Sequence, residues 1–348
     1  MLKISRIVLL AANILLVLLT IGAYLTPYMP AYKSALFPIL GLGYPALLIC
    51  NVLSVICWML LKSKWAILSL ITLIIGYNSC TKLFNINLAD NHQGNRIKVA
   101  TYNINFSKPI MLSPAEKQPA LKVAFNEYLQ QFNDLDILCV QENGKNSKQF
   151  LSEGLSLYHI HEVLGMTVSI YSKYPFLKSG IVEFNSTIAN TCLWADIAIK
   201  GDTIRIYTTH LESNRRDGVV PEVIREDSPE VMSNSALLGI VQHHQKFSIE
   251  REKQARLIKA HANSSPYRAI ICGDFNETAQ SHVYSLLRGK YDDTFQEEGS
   301  GIASTFGERI PALRIDHILV DDRIEVLDHT ISRSEYSDHY LVMAELGL

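Results

Sequence analysis

Apolar and polar residues are distributed differently in the two parts of this chain. Residues 1–80 carry three long apolar blocks, at about 4–25, 35–61 and 65–77, separated by short polar stretches. A helix needs about 20 apolar residues to cross ~30 Å of hydrocarbon, so the first two blocks are long enough and the third is short. This pattern predicts about three transmembrane helices within residues 1–80.

Two other interpretations of these blocks remain open, namely a signal peptide and helices buried in a soluble core. A signal peptide is not expected to precede two more apolar blocks, and core helices rarely exclude polar residues so fully. Lys3 and Arg6 precede the first block, and Lys62 and Lys64 separate the second from the third. Because basic residues favour the cytoplasmic side, we expect a multi-pass protein of the cytoplasmic membrane with the following chain outside. If the third block does not span, that chain falls in the cytoplasm instead.

Residues 96–348 follow a different pattern, in which short apolar runs of strand length alternate with turns. Two helical stretches stand out, at about 120–132 and 250–262. Many short strands with few helices are typical of two packed sheets with helices on their outer faces, an α+β architecture. We therefore expect a membrane region (1–80), a polar tether (81–95) and one catalytic domain (96–348).

Six strand-like runs of this domain deliver polar side chains at or next to their ends. One such ending would be an ordinary turn, since Gly, Asp and Asn are turn residues for conformational reasons. Six endings rich in carboxylate, carboxamide and imidazole instead indicate a site along the rim of a sheet. These residues are Asn103, Glu142, His210, Asp274 with Asn276, Asp316, and Asp338 with His339.

The side chains at these endings fit the hydrolysis of a phosphate ester. A carboxylate such as that of Glu142 offers the oxygen ligands that Mg²⁺ or Mn²⁺ prefers. Such an ion polarises phosphoryl oxygens. A histidine with a carboxylate partner can accept a proton from water near neutral pH. Carboxamides can hold phosphate oxygens without adding negative charge.

The ordered set of motifs resembles the endonuclease/exonuclease/phosphatase superfamily, from about Ile97 to the end of the chain. The resemblance implies the four-layer α/β/β/α sandwich of DNase I-like nucleases. It rests on Thr-Tyr-Asn103, Gln-Glu142, Thr-His210-Leu, Gly-Asp274-Phe-Asn276, Arg-Ile-Asp316-His and Ser-Asp338-His339, in that order.

The resemblance also implies a role for each residue. Glu142 is expected to be the principal metal ligand, and Asp338 a direct or water-mediated one. His339 is expected to be the general base that activates the attacking water, with Asp316 orienting its imidazole.

Four further residues of the set are expected to handle the substrate. Asp274 positions the nucleophile or assists the leaving group, and His210 stabilises the transition state or protonates the leaving oxygen. Asn103 and Asn276 bind the phosphate. Some repair nucleases of the family carry Asp where this chain has Asn105, so its absence favours one Mg²⁺ over two metals.

Charge and cysteine content argue against nucleic-acid-binding, disulfide-rich and zinc-binding proteins. The net charge is -2, but residues 1–80 hold five basic and no acidic side chains, so the remainder carries -7. An acidic domain is not typical of proteins that grip long nucleic acid through a basic surface. The six cysteines show no paired spacing, and we expect neither a disulfide framework nor a zinc site.

Together these features predict a membrane-anchored, Mg²⁺- or Mn²⁺-dependent phosphoesterase acting on a phosphate ester or pyrophosphate. Its architecture is similar to membrane-bound members associated with glycopeptide-antibiotic resistance, which suggests a lipid-linked substrate. Two alternatives stay open: a DNase-like endonuclease or exonuclease that binds nucleic acid, and an inactive module that binds phosphorylated ligands.

One segment interrupts the strand pattern, at about residues 214–250. Because it follows His210 directly, we hypothesise that it forms a lid or a membrane-facing surface. Its His243-His244 pair is expected to be solvated. His159 and His161 alternate along a strand-like run and are expected at the surface.

Overall fold

The computed structural model describes residues 2–87, 95–157, 159–184, 190–214, 234–307 and 313–348. Most of the predicted tether (88–94) and much of the predicted lid (215–233) therefore lie outside the described residues. The chain divides into two compact units. The helical unit comprises Met1–Phe84, Asn214–Glu252 and Glu277–Ser285, and the sheet unit comprises Asn85–Ser213, Lys253–Asn276 and Leu286–Leu348.

The elements of secondary structure follow in chain order. The helices are α1 Leu2–Leu25, α2 Leu36–Leu60, α3 Ala66–Ile75, α4 Tyr77–Thr81, α5 Lys108–Met111, α6 Gln118–Gln130, α7 Lys145–Gly154, α8 Asn234–Asn263, α9 His282–Arg288 and α10 Thr294–Glu298. Short 3₁₀ turns cover Thr26–Tyr28, Ala31–Lys33 and Asn105–Ser107. The strands are β1 Phe84–Asn85, β2 Arg96–Asn103, β3 Ile137–Gln141, β4 His159–Glu162, β5 Ser169–Ser172, β6 Phe176–Val182, β7 Thr191–Ile199, β8 Asp202–His210, β9 Arg268–Asp274, β10 Asp292–Asp293, β11 Gly301–Ile302, β12 Asp316–Val320, β13 Glu325–Ser332 and β14 Leu341–Gly347.

Two helices of the helical unit are long and apolar enough to cross a membrane. They cover Ser5–Tyr28, with a mean hydropathy of 2.5, and Leu36–Leu60, with 2.1. The third predicted block forms the ten-residue helix α3, which ends at Gly76. A side chain at Gly76 would meet the hydroxyl oxygen of Tyr24 at 2.0 Å, so the glycine allows this close packing. Among the described residues there are thus two helices of spanning length rather than the expected three.

The helical unit buries polar side chains between its helices. The hydroxyl of Ser69 donates to Oδ1 of Asn13 at 2.7 Å, and the side-chain amide of Asn51 donates to Oγ1 of Thr20 at 2.8 Å. Large apolar side chains face outward instead. Examples are Leu18, Val52, Leu53, Leu60, Ile74 and Ile75.

The sheet unit contains two six-stranded sheets that pack face to face. One has the strand order β10-β12-β9-β8-β7-β6 and the other β13-β14-β2-β3-β5-β4. Their inner faces share one apolar core, because alternate residues of each strand point inward. This core includes Ile97, Val99, Ile137, Leu193, Ile204, Ile206, Ile270, Ile318 and Val342.

Helices cover the outer faces of both sheets. On the second sheet, Phe125 and Leu129 of α6 and Phe150 of α7 pack in a second apolar cluster with Tyr102 and Leu138. On the first, the hydroxyl of Tyr207 lies 2.8 Å from Nδ1 of His261 in the last turns of α8. The predicted α+β sandwich of four layers, α/β/β/α, is therefore confirmed. All six cysteines lie in the described part of the chain and are free thiols, as expected.

Two parallel strand pairs determine where the rim residues meet. β2 pairs in parallel with β3, which aligns Asn103 with Gln141. β8 pairs in parallel with β9, which aligns His210 with Asp274. Because parallel strands end at the same edge, side chains at their carboxyl ends are brought together.

Candidate active site

Six of the eight predicted residues make contacts that link the rims of the two sheets. Asp274 lies at the centre of this group. The side-chain amide of Asn103 donates to its Oδ2 at 3.0 Å, joining β2 of one sheet to β9 of the other. Nε2 of His210 and Nε2 of His339 lie 3.5 Å and 3.7 Å from the same oxygen.

The close approach of β8 and β9 depends on one glycine. Gly273 has φ 142°, and a Cβ there would lie 2.0 Å from the carbonyl oxygen of Thr209. A residue with a side chain would push the strands apart and would be strained at this φ. Gly273 is thus required to set His210 beside Asp274.

Several site residues adopt left-handed backbone conformations. Glu142 has φ 51° and Asn276 has φ 50°, and Asn105 begins a turn of three such residues. Residues other than glycine are destabilised in this region, and such strained residues are common at functional sites. Here the three positions directly follow strands β2, β3 and β9 or lie within two residues of their ends.

His339 and Asp316 form a buried pair. Nδ1 of His339 lies 3.0 Å from Oδ2 of Asp316, so the carboxylate fixes the ring and leaves Nε2 facing Asp274. Burial alone would lower the pKa of His339, but the negative charges of Asp316 and Asp274 outweigh it and raise the pKa to about 10. Asp338 adds to this effect, which places its charge near the imidazole.

Glu142 is the most accessible carboxylate among these contacts. Its side chain is 20% exposed, whereas those of Asp274 and Asp316 are almost fully buried. Its Oε1 lies 3.9 Å from Nε2 of His210. Glu142 is therefore positioned to meet a ligand from solvent.

The donor atoms of the rim fit a hard divalent cation. Ligand atoms of Asp274, Asp316 and His339 lie within 4.8 Å of one another. Oδ1 of Asn105 is buried, and this oxygen has no hydrogen-bond partner in the described part of the chain. The more accessible carboxylate of Glu142 and the unpartnered Oδ1 of Asn105 are further oxygen donors of the kind that hard divalent cations bind.

Asn276 and Asp338 have contacts that sequence reasoning did not foresee. The backbone N–H of Asn276 donates to Oδ1 of Asp274 at 2.8 Å, while its side-chain amide donates to the carbonyl oxygen of Leu211. Oδ1 of Asp338 accepts a hydrogen bond of 3.4 Å from the hydroxyl of Ser337. Phosphate binding by Asn276 and metal binding by Asp338 remain predictions.

Three residues to which the sequence analysis assigned no role contact the His339–Asp316 pair. The hydroxyl of Ser337 donates to the carbonyl oxygen of Asn103 at 2.7 Å and accepts from the backbone N–H of His339. Oγ1 of Thr305 accepts from the backbone N–H of Asp316 at 3.1 Å. The ring of Phe306 packs edge-on against His339, with centroids 4.9 Å apart. Ser337 belongs to the Ser-Asp338-His339 motif, but Thr305 and Phe306 carry no local signal.

Three other histidines can be compared with their expected surroundings. His244 is buried, and burial lowers its pKa to about 4, so the His243-His244 pair is not simply solvated. His159 and His161 are half-buried and both pack against the ring of Phe176. The expectation of a solvated pair is therefore wrong for His244, whereas the partial exposure of His159 and His161 is consistent with a surface position.

Residues 100–339, which contain every residue of this site, match the model of the Endonuclease/Exonuclease/phosphatase family. The chain belongs to this family. Members of the Endonuclease/Exonuclease/phosphatase family hydrolyse phosphoric ester bonds, and the chain is an enzyme of that class. Residues 5–83 match a second model, described as a domain of unknown function (DUF8431). A search of curated proteins found no match.

Solved structures of the Endonuclease/Exonuclease/phosphatase family share the fold. A family member from Bacteroides vulgatus is 21% identical, covers 73% of this chain and 99% of its own, and has a TM-score of 0.54. Humanized TDP2 from D. rerio is 17% identical, with 73% and 99% covered and a TM-score of 0.52. D. rerio TDP2 complexed with a single-stranded DNA product is 16% identical, with 73% and 100% covered and a TM-score of 0.52. At these identities the likeness establishes the fold alone.

Proposed function

We propose that the protein is a membrane-anchored, divalent-metal-dependent phosphoesterase whose general base is His339. The observation that carries this proposal is the buried imidazole held between two carboxylates. Asp316 contacts Nδ1 at 3.0 Å, and Nε2 faces Asp274 at 3.7 Å. A base oriented on one nitrogen and directed into a polar rim with the other is the arrangement that activation of water requires.

The residues around His339 have distinct tasks in this mechanism. Asp316 fixes the ring and stabilises the imidazolium that forms when Nε2 takes a proton from the attacking water. Asp274 orients that water, and Asn103 positions Asp274 through their 3.0 Å hydrogen bond. Nε2 of His210 lies on the other side of Asp274, where it can donate to a phosphoryl oxygen or to the leaving oxygen.

The base must be neutral to accept a proton, yet the surrounding carboxylates raise its pKa to about 10. Glu142, Asp274 and Asn105 would hold the cation, and Asp338 is a further candidate ligand. When bound, the cation supplies positive charge that polarises the phosphoryl oxygens and offsets the carboxylate charge acting on His339. We propose Mg²⁺ or Mn²⁺, because the donors are oxygens.

The distribution of side chains in the helical unit supports anchoring in a membrane. Its helices bury polar residues and expose apolar ones, whereas core helices of soluble proteins do the opposite. Exposed aromatic residues occur at both ends of the helices, as is typical of membrane interfaces. They are Tyr28, Tyr32 and Tyr77 at one end and Trp65 at the other.

The directions of the helices support a location outside the cytoplasm. Thr20 contacts Asn51 while Gly22 adjoins Leu40, so α1 and α2 are antiparallel.

The third helix runs in the direction of α1, since Asn13 contacts Ser69 and Tyr24 contacts Thr72. It therefore returns the chain to the end at which α1 finishes, despite its short length. Lys62 and Lys64 precede this helix at about the level of Asn13, whose side-chain amide donates to the carbonyl oxygen of neighbouring Trp65, and Lys3 and Arg6 lie further in the same direction, towards the opposite end. The positive-inside rule then assigns that opposite end to the cytoplasm.

We propose a lipid-linked phosphate or pyrophosphate as the substrate, because the enzyme is anchored to the bilayer and residues 81–348 carry a net charge of -7. A nuclease is the second candidate, favoured by the shared fold with TDP2, one structure of which holds a single-stranded DNA product. Negative charge weakens binding to a polyanion, so we rank the nuclease lower.

The substrate class is tested with the full chain in lipid nanodiscs. A polyprenyl pyrophosphate, a sphingomyelin-like diester and plasmid DNA are offered in parallel with Mg²⁺ or Mn²⁺, and chelated samples serve as blanks. Cation-dependent turnover of the lipid pyrophosphate alone supports the proposal. Turnover of DNA alone moves the assignment to the nuclease. Binding of phospholigands without turnover of any substrate would contradict the enzyme.

A further inference from the structure

The first half of helix α8 is fixed to the ends of the long apolar helices. The side-chain amide of Gln245 donates to the carbonyl oxygen of Ala31 at 2.8 Å, in the turn that joins α1 to α2. One and two turns further along, Ser248 and Glu252 line a small cavity with Thr26 of that turn and with Pro38 of α2.

The neighbouring segment Glu277–Ser285 strengthens this attachment. The side-chain amide of Gln280 donates to the carbonyl oxygen of Ala23, and Nδ1 of His282 lies 2.7 Å from the carbonyl oxygen of Pro27. Arg251 of α8 donates to Glu277 at 2.9 Å. These contacts fix the orientation of α8 within the helical unit.

Helix α8 contacts the turn with its side, not with its end. Its contacts run from Gln245 to Glu252, a length of about 10 Å at 1.5 Å per residue. The residues before His244 therefore continue past this attachment, since α8 begins at Asn234.

The side of α8 that contacts the turn through Gln245 is apolar before His244. Leu238, Val241 and Gln245 are three and four residues apart and share one side of the helix. On this side Leu238 is 56% exposed and Val241 is half-exposed. A soluble helix would carry polar residues on such a side.

The surroundings of this face identify its partner. Tyr28 and Tyr32, in the turn that Gln245 joins, are exposed aromatic residues of the kind found at the boundary between headgroups and acyl chains. Val241 and Leu238 lie one and two turns from Gln245 on the same side of α8, so this apolar side begins next to the turn that carries the two tyrosines.

We infer that the start of α8, residues 238–241, is an interfacial membrane segment that inserts Leu238 and Val241 into the outer leaflet beside the bundle. Its partner is the lipid bilayer. The inference deepens the proposed function, on which its membrane setting rests, because such a segment would place the soluble part of the helical unit where lipid-linked substrates lie. Burial of two apolar side chains among acyl chains favours this position.

Fluorescence quenching by brominated phospholipids tests the insertion without any measurement of activity. Leu238→Trp is compared with Lys246→Trp in the full chain, each in nanodiscs with lipids brominated in the upper acyl chain. Position 246 is the matched control, since it is exposed on the same helix but lies about 100° around the axis from Gln245. The signal of the wild-type tryptophans, Trp58, Trp65 and Trp194, is subtracted.

We expect the tryptophan at 238 to be quenched about twofold or more beyond that at 246, as expected for a side chain below the headgroups. Val241→Trp should behave like Leu238→Trp, which guards against a local distortion caused by one substitution. Equal quenching at 238 and 246, or weaker quenching at 238 and 241, would overturn the inference. If the protein hydrolysed no phosphate ester but the tryptophan at 238 were still quenched, the proposed function would be refuted and the membrane segment would be supported.

Discussion

The helical unit and the sheet unit place polar side chains in opposite ways. The helical unit buries Asn13 and Asn51 between its helices and exposes leucine and isoleucine. The sheet unit buries isoleucine and valine between its sheets and collects carboxylates and imidazoles at the rim. Each arrangement suits a different solvent, since lipid rewards exposed apolar surface and water does not. Whether a buried polar side chain is expected or exceptional therefore depends on whether lipid or water surrounds the unit.

The largest effect on stability is expected at a buried ion pair of the sheet unit. Both terminal nitrogens of Arg314 donate to the carboxylate of Asp293, at 2.8 and 2.7 Å. Arg314→Met removes the positive charge beside the buried carboxylate of Asp293. This should lower the free energy of unfolding by about 3–5 kcal/mol. Chemical denaturation of the full chain in detergent measures the loss. The double variant with Asp293→Leu should recover much of it, and a single-variant loss below about 1 kcal/mol would contradict this account.

Acid should destabilise the sheet unit through a buried histidine. Burial lowers the pKa of His329 to about 3, from an ordinary value of 6.5, while its Nδ1 lies 2.8 Å from the hydroxyl of Thr294. Between these pH values the unfolded chain binds a proton that the folded chain does not, so stability falls as the pH falls. At about pH 4.5 the loss from this group should be about 3 kcal/mol. His329→Asn should remove this part of the pH dependence, and identical acid profiles would refute it.

A smaller effect is expected from the polar interior of the helical unit. Asn51 donates to Thr20 between α1 and α2 at 2.8 Å. Asn51→Ala should cost about 1 kcal/mol, because hydrogen bonds between membrane helices contribute modestly. Unfolding in mixed micelles measures the change, with Leu53→Ala on the exposed side as the control. A larger loss for Leu53→Ala would indicate that the apolar side, not the polar one, forms the interior.

The smallest effect is expected at the surface of the sheet unit. Arg96 and Glu345 form a 2.8 Å ion pair across β2 and β14, but the side chain of Arg96 is 42% exposed. Glu345→Gln should change the free energy of unfolding by less than about 0.5 kcal/mol, because water and salt screen exposed pairs. The same denaturation experiment at low and high salt checks this, and a loss comparable with that of Arg314→Met would contradict it.

Much of the rim could be predicted because its residues terminate apolar strands. Asn103, His210 and Asp274 each end a strand, and parallel pairing brings such ends together. Thr305 and Phe306 could not be predicted, because they lie in an irregular segment and reach His339 only through the tertiary fold.

Elements with mixed patterns were less predictable. Helix α8 begins at Asn234, sixteen residues before the helical stretch that the sequence indicated. The reason is physical, since Gln245, Ser248 and Arg251 in this half bind the α1–α2 turn and Glu277, so that polar residues occupy the packed side of the helix. The hydrogen bond from Gln280 to Ala23 joins residues that are 257 positions apart, and the sequence carries no local signal for it.

The central claim is that His339, oriented by Asp316, is the base of a phosphoesterase. The most direct test is cation-dependent phosphate release by the full chain in nanodiscs, comparing wild type, His339→Ala and His159→Ala. A lost general base should lower turnover by about 10²–10⁴-fold. His159 packs against Phe176, outside the site, and its substitution should leave turnover near wild type. Wild-type turnover by His339→Ala would contradict the account.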